Sequence, residues 1–439
     1  FTNSTASLRS FSRSSIFHHL PPFYHFTTKK PSFRWTFFDR LGPWARLPAG
    51  FGIREKSGEM SLKLNREILD EVSRNREEAL ELLKTIAKIP APSNYEEKRA
   101  EFCKSWLEQQ GAKGVFIDDA LNVIYPIGCK ENNSLVAFMA HTDVVFPDTD
   151  ELPVVVEDGK IKAPGIGDDT ANLTALLMAA KYVAQHGLSP KEHGVLLVMN
   201  SGEEGLGNLK GSRKIMETYG SRIKEFYSFD GSNSTVVNRS VGSRRYRVEV
   251  LTEGGHSYAK FGNRNAIAYL SSMISTLYTM VPPKGGKTTY NVGTIQGGTS
   301  VNTIAQQAEM LYEFRSDRQE GLEAMEQHFR AVIEAYRAKG IAINVERIGE
   351  RPCMGDVDAE KQRALSEKAA QAVRTYYQSE PLFHSGSTDC NIPLSMGIPS
   401  VCVGCYAGDG AHTRSEWVEI SSLHSGLNLA LDLILGTFD

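Results

Sequence analysis

The chain has 439 residues, enough for two hydrophobic cores, and 41% of them are hydrophobic. A formal net charge of −3 and a pI of about 6.5 exclude electrostatic attraction to nucleic acid or to an anionic membrane surface. No apolar run reaches the length of a membrane span, and six cysteines are too sparse for a disulfide scaffold.

Residues 1–59 stand apart. They carry nine Lys/Arg against three acids, are rich in Ser, Phe and Pro, and show no apolar periodicity; the first Met is Met60. Two readings fit, an organellar transit peptide or extraneous sequence, and the second is preferred. From 65 to 111 the spacing of Leu69, Val72, Ala79, Leu80, Leu83 and Ile86 predicts helix, with a second helix over 95–110. Strands follow at 114–127. SLVAFMAH (134–141), HGVLLVMNS (193–201) and EFYSFD (225–230) are apolar runs without a polar face, the pattern of strands buried on both sides. Helices at 170–184 and 208–219 separate them. Strands alternating with helices predict an α/β fold with a mostly parallel central sheet.

Near Val241 the pattern changes. RYRVEVLT (245–252) alternates polar with apolar; then come a helix at 263–280, strands at 288–296 and 307–316, a helix at 319–338 and a strand at 341–348. The order β-α-β-β-α-β predicts a ferredoxin-like α+β domain inserted in the larger one. The expected division is a catalytic part over 60–240, an inserted domain over 241–351 and a second catalytic part over 352–439, which ends in a helix at 420–436. Cys402 and Cys405, in IPSVCVGCYAG, lack the following helix or second pair that a redox or zinc-ribbon role needs, and read as small residues of a buried strand.

Acids and histidines recur where these strands end, the place where open α/β sheets put their sites. They are His141 and Asp143 in AHTDVV, Asp168 and Asp169 in APGIGDDTAN, and Glu203 and Glu204 in NSGEEGLG. Asp230 in SFDGSN and His412 in GDGAHTRSEW complete the series. One H-x-D or one acid pair is weak evidence, since such residues are usually solvated or cap helices. Five buried strands or loops ending in acids, in order, are harder to explain blandly, because a buried carboxylate needs a partner cation. Two histidines and three acids suit two zinc ions, with one free carboxylate left as a base.

At these residues the chain resembles the M20 metallopeptidase family, from about 65 to 439, inserted domain included. The resemblance implies a zinc-peptidase-like catalytic domain, two Zn2+ per subunit and hydrolysis of an amide bond. His141 and Asp230 would hold one ion, Glu204 and His412 the other, and Asp168 would bridge them, with Asp169 as the alternative. Asp143 would orient His141. Glu203 would be the general base, taking a proton from the bridging water and passing it to the leaving amine. His256, in TEGGHSYAK, would help stabilise the oxyanion, often from the neighbouring subunit, and the inserted domain would carry the contacts of a homodimer. Asn302 and Arg315 resemble the family's substrate anchors, and Gly386 and Ser387, in SGSTD, its glycine-rich substrate loop. The sequence departs from the family where Lys and Gly often follow the bridging acid: here it reads DDTAN.

A di- or tripeptide aminopeptidase is the leading expectation. An N-acyl amino acid deacylase, of the acetylornithine deacetylase or desuccinylase kind, is the alternative, since specificity lies in pocket shape. An inactive binding protein is the third, disfavoured because no ligand and no base is missing. Carboxylate-rich sites also accept cobalt or manganese. The cytoplasm is the expected compartment, with organellar import if residues 1–59 are a transit peptide.

Overall fold

The computed structural model describes residues 64–438; the segment 1–59 lies outside the described residues. Strands Leu135–His141 and Gly194–Asn200 are buried along their whole lengths. Such strands need cover on both faces, and alternation decides what covers each. Val136, Phe138 and Ala140, with Val195, Leu197 and Met199, pack under the helices Arg76–Lys88, Glu97–Gln109, Asn172–Gln185, Ala359–Tyr377 and Ser422–Leu435. Leu135, Ala137 and Met139, with Leu196 and Val198, pack on the other face against Leu209, Ile215 and Met216, beside the helix Lys210–Tyr219.

The sheet has eight strands in the order Phe116–Ile117, Val123–Ile127, Gly194–Asn200, Leu135–His141, Ile223–Ser228, Ser400–Val403, Thr235–Ser240 and Leu382–Gly386. Its four central strands from Gly194–Asn200 to Ser400–Val403 are parallel. Antiparallel joins occur at Phe116–Ile117 and Val123–Ile127 on one side and at Thr235–Ser240 on the other. The fold is therefore α/β with a mostly parallel core, and the carboxyl ends of the central strands open at one edge.

A second sheet carries its own core. Gly242–Leu251, Thr288–Gly297, Gln307–Ser316 and Ala342–Arg351 pair antiparallel throughout, in the spatial order second, third, first, fourth. Val248, Met310, Tyr312 and Phe314 face Leu270, Met273, Phe329 and Ile333 of the helices Ala266–Leu277 and Gln319–Arg337. The opposite face carries ion pairs, Arg247 with Glu309 at 2.8 Å and Arg245 with Glu313 at 3.2 Å. A strand buried on one face only must alternate, and Gln307–Ser316 does.

Three features differ from the sequence reading. The first helix breaks at Asn75 into Arg66–Arg74 and Arg76–Lys88. Thr235–Ser240 is a strand where none was expected. A third sheet joins Gly408–Asp409, Trp417–Glu419, Lys160–Lys162 and Val155–Glu157, and its pairing of Trp417 with Lys162 brings the His412 loop against the Asp168 loop. Cys402 and Cys405 are buried, and all six cysteines are free thiols. Among the described residues no helix is long and apolar enough to cross a membrane.

Candidate metal centre

His141 is the last residue of its strand, and Asn200 sits beside it in register on the neighbouring one. Glu203 and Glu204 therefore follow within one loop of His141. Asp230 follows Ile223–Ser228, and Asp168 lies in the turn Ile166–Ala171 that opens the helix Asn172–Gln185. His412 stands in the loop between Gly408–Asp409 and Trp417–Glu419, with φ at 64°.

These residues converge. His141 Nε2 lies 3.1 Å from Asp168 Oδ1, and His412 Nε2 lies 3.2 Å from Asp168 Oδ2. One carboxylate thus stands between two imidazoles. His412 Nε2 is also 3.1 Å from Glu204 Oε1. His141, Asp168, Asp169 and Asp230 form one group of ligand atoms within 4.8 Å of one another, and Asp168, Glu204 and His412 form another. Asp168 belongs to both. Asp169, the alternative bridge, accepts a hydrogen bond on each oxygen: on Oδ2 from the His141 backbone N–H at 2.8 Å, on Oδ1 from Asn172 Nδ2 at 2.6 Å.

Asp143 is fully buried and ties the groups together. Its carboxylate accepts the backbone N–H of Glu203 at 3.0 Å and of Glu204 at 2.9 Å, and the Ser93 hydroxyl at 2.7 Å. His141 Nδ1 is nearer the Asp143 carbonyl, at 3.0 Å, than its carboxylate, at 3.5 Å. Burial pushes the Asp143 carboxyl up, but His141, Ser93 and the Glu204 amide together hold it down at about 2.

The crowding of acids decides the electrostatics. Burial, reinforced by repulsion from Asp168 and Glu203, pushes Glu204 up to about 7 against its bond to His412. Asp230 is pushed well above the carboxylate range by burial and by Asp168. Oxygen and imidazole donors, too anionic for their surroundings and within one ion's reach, fit divalent cations such as zinc.

Several residues escaped the sequence reading. Glu416, 1% exposed, accepts the backbone N–H groups of Gly165 (2.8 Å), Gly167 (3.0 Å) and Asp168 (2.7 Å), so it holds the loop that presents Asp168. Arg99 is wholly buried beneath the site and donates to the carbonyls of Ile89 and Thr142 at 2.8 and 2.9 Å. Arg351 reaches Glu203 Oε1 at 3.0 Å. Only Glu416 had a signal in the sequence, as an acid within GDGAHTRSEW.

A cavity of about 470 Å3 opens over the acids. Asp168, Glu203, Glu204, Asp230 and His412 line it together with Arg245, Arg315, Arg351, Gly386 and Ser387. Arg315 is held by Glu313 at 2.9 Å. His256 and Asn302 are not brought to this cavity. They lie exposed on the ribbon where Gly255–His256 pairs with Thr303–Ile304, and the Asn302 carbonyl accepts the Ser257 N–H at 2.9 Å.

The chain is 26% identical over 383 residues to the uncharacterized protein YqjE of Bacillus subtilis, covering 82% of this chain and 98% of that one. It is 25% identical over 337 residues to an acetylornithine deacetylase of Myxococcus xanthus, 70% of this chain and 83% of the relative. A tripeptidase from Staphylococcus aureus shares the fold with a TM-score of 0.66 and 22% identity, over 82% of this chain and 98% of its own. The model of peptidase family M20/M25/M40 matches residues 137–436, more than half of the chain. The chain belongs to that family, and it is a metal-dependent hydrolase.

Proposed function

We propose that this enzyme hydrolyses the amide bond of a short peptide, as a di- or tripeptide aminopeptidase, with two zinc ions held by its own side chains. The observation that carries the reading is the Asp168 carboxylate, with one oxygen toward His141 and the other toward His412. His141 and Asp230 would hold one ion and Glu204 and His412 the other, with Asp168 shared between them. When bound, the ions supply Lewis-acid polarisation of the scissile carbonyl and a water acidic enough to ionise near neutral pH. Asp143 fixes His141 and the backbone of Glu203 and Glu204 together. Glu203 Oε2, which makes no hydrogen bond among the described residues, receives the water's proton and delivers it to the leaving amine. A cavity of about 470 Å3 suits a substrate of a few residues, not a protein.

Arg315 binds the substrate carboxylate, and the backbone at Gly386 and Ser387 holds the chain beside it. His256 and Asn302 act from the second subunit of a homodimer, since they are remote from the acids of their own chain. The exposed Tyr258, Phe261 and Val301 around them support a contact surface there. Six free cysteines support a reducing compartment, the cytoplasm. The likeness to an acetylornithine deacetylase favours a second reading, removal of an acyl group from an amino acid.

The test is a panel of di- and tripeptides and N-acyl amino acids, with zinc and with chelator, for wild type and Glu203→Ala. Chelator-sensitive cleavage that is lost in the variant supports the chemistry, and the best substrate chooses between the two readings. Full activity in Glu203→Ala would sink the assignment of the base.

A further inference from the structure

The loop that carries Glu203 is held from outside its own sheet. Arg245 Nη1 donates to the Gly205 carbonyl, and the Glu350 backbone N–H donates to Asn208 Oδ1 at 2.9 Å. Arg351 makes the most direct of these contacts. It is 4% exposed and ends the strand Ala342–Arg351, paired in register with Ser243. Its Nη1 lies 3.0 Å from Glu203 Oε1, 3.2 Å from Ser387 Oγ and 3.3 Å from the Ser387 carbonyl, and its Nη2 donates to the Glu203 carbonyl.

A planar fork that grips the side chain and the main chain of one glutamate leaves that glutamate few rotamers. It occupies Oε1 and leaves Oε2 to the cavity. A buried ion pair contributes little to stability on average, so stability alone is a poor reason for this one. Its position beside the proton acceptor gives a better reason.

We infer that Arg351 is a positioning residue for Glu203: the second sheet delivers a guanidinium that fixes which carboxylate oxygen takes the proton. The inference rests on Glu203 being the base. A lysine at this position keeps the charge but cannot make both contacts.

The test uses wild type, Arg351→Met and Arg351→Lys on the best substrate of the panel, with bound metal measured by plasma emission. In Arg351→Met, kcat falls about 100-fold, KM stays within about threefold and the metal content is unchanged. Guanidinium below denaturing concentration restores kcat in this variant at least about tenfold, equal urea does not, and neither rescues Glu203→Ala. In Arg351→Lys, kcat falls about tenfold with the fold intact. A raised KM with unchanged kcat would overturn the inference and make Arg351 a substrate contact. Loss of metal without guanidinium rescue would make it a structural brace and overturn it too. Should Arg351→Met not fold, an unchanged kcat in Arg351→Lys overturns the proposal by itself. An active Glu203→Ala would instead remove the reading on which it rests.

Discussion

Asp168 gives one oxygen to each imidazole, and Glu416 holds its backbone from below. Two substitutions separate these jobs. Asp168→Asn removes the charge of the proposed shared ligand, and calorimetric titration should show fewer than two equivalents of zinc bound. Glu416→Ala leaves every ligand in place but frees the loop; the same titration should show affinity about 10- to 100-fold weaker, with Glu416→Gln between the two. Wild-type affinity in Glu416→Ala would show that the loop holds its shape without the three bonds. Asp389 makes a pH prediction. It is fully buried; burial, with Glu203 close by, pushes its carboxyl up to about 7. A raised carboxyl stabilises the fold most below its unfolded value near 4, and the benefit is lost as pH rises through about 7. Asp389→Asn, which removes the buried charge, should therefore stabilise the metal-free protein at pH 8 by about 1–3 kcal/mol. The gain should fade by pH 5; denaturant midpoints in chelator at both pH values check it. His141, Glu203, Glu204 and Asp230 stand out as candidates because a buried apolar run stops at or just before each, a pattern local to the sequence. Arg351 does not, because its partner Glu203 lies far away in the chain and nothing near it marks it; Glu416, though an acid within GDGAHTRSEW, gives no sign of the distant amides whose hydrogen bonds it accepts. Arg99 is an ordinary cation on a helix until folding closes Thr142 over it.

At the scale of elements, long apolar runs were readable and short exposed ones were not. Leu135–His141 and Gly194–Asn200 declare themselves by lacking a polar face. Val155–Glu157 is exposed throughout and has three residues; it pairs only with the neighbouring Lys160–Lys162, which in turn pairs with Trp417–Glu419, a strand recruited from the far end of the chain. Thr235–Ser240 is held by pairing with Ser400–Val403 and Leu382–Gly386, which no local pattern reveals. Close packing of the last helix, Ser422–Leu435, was equally invisible. Gly426 lets it press on the strand end: a Cβ there would stand 1.7 Å from the Cys405 carbonyl oxygen. Backbone cannot yield as a side chain can, so Gly426→Ala should cost about 3 kcal/mol. Urea unfolding measures it, and an unchanged midpoint would show that the helix has room to move.

For the whole molecule, the two sheets bear different duties. The mostly parallel sheet carries His141, Glu203, Glu204 and Asp230 at its strand ends, and the second sheet reaches back with Arg245, Arg315 and Arg351 while leaving Tyr258, Phe261 and Val301 open to solvent. If those apolar residues meet a second copy, Phe261→Asp combined with Val301→Asp should halve the mass seen by sedimentation and lower activity by withdrawing His256. A wild type that sediments as a monomer would end the idea of a histidine acting across subunits. The proposed ligand set has one more consequence. His141, Asp168, Glu204, Asp230 and His412 come from five separate segments, so an unfolded chain has nothing that resembles the site. An ion that binds only the folded form adds about 2.7 kcal/mol when its free concentration is 100 times its dissociation constant. Metal supply would then govern how long each molecule survives as well as how fast it works: a starved cell would hold fewer copies, cleared by proteolysis before they were ever loaded.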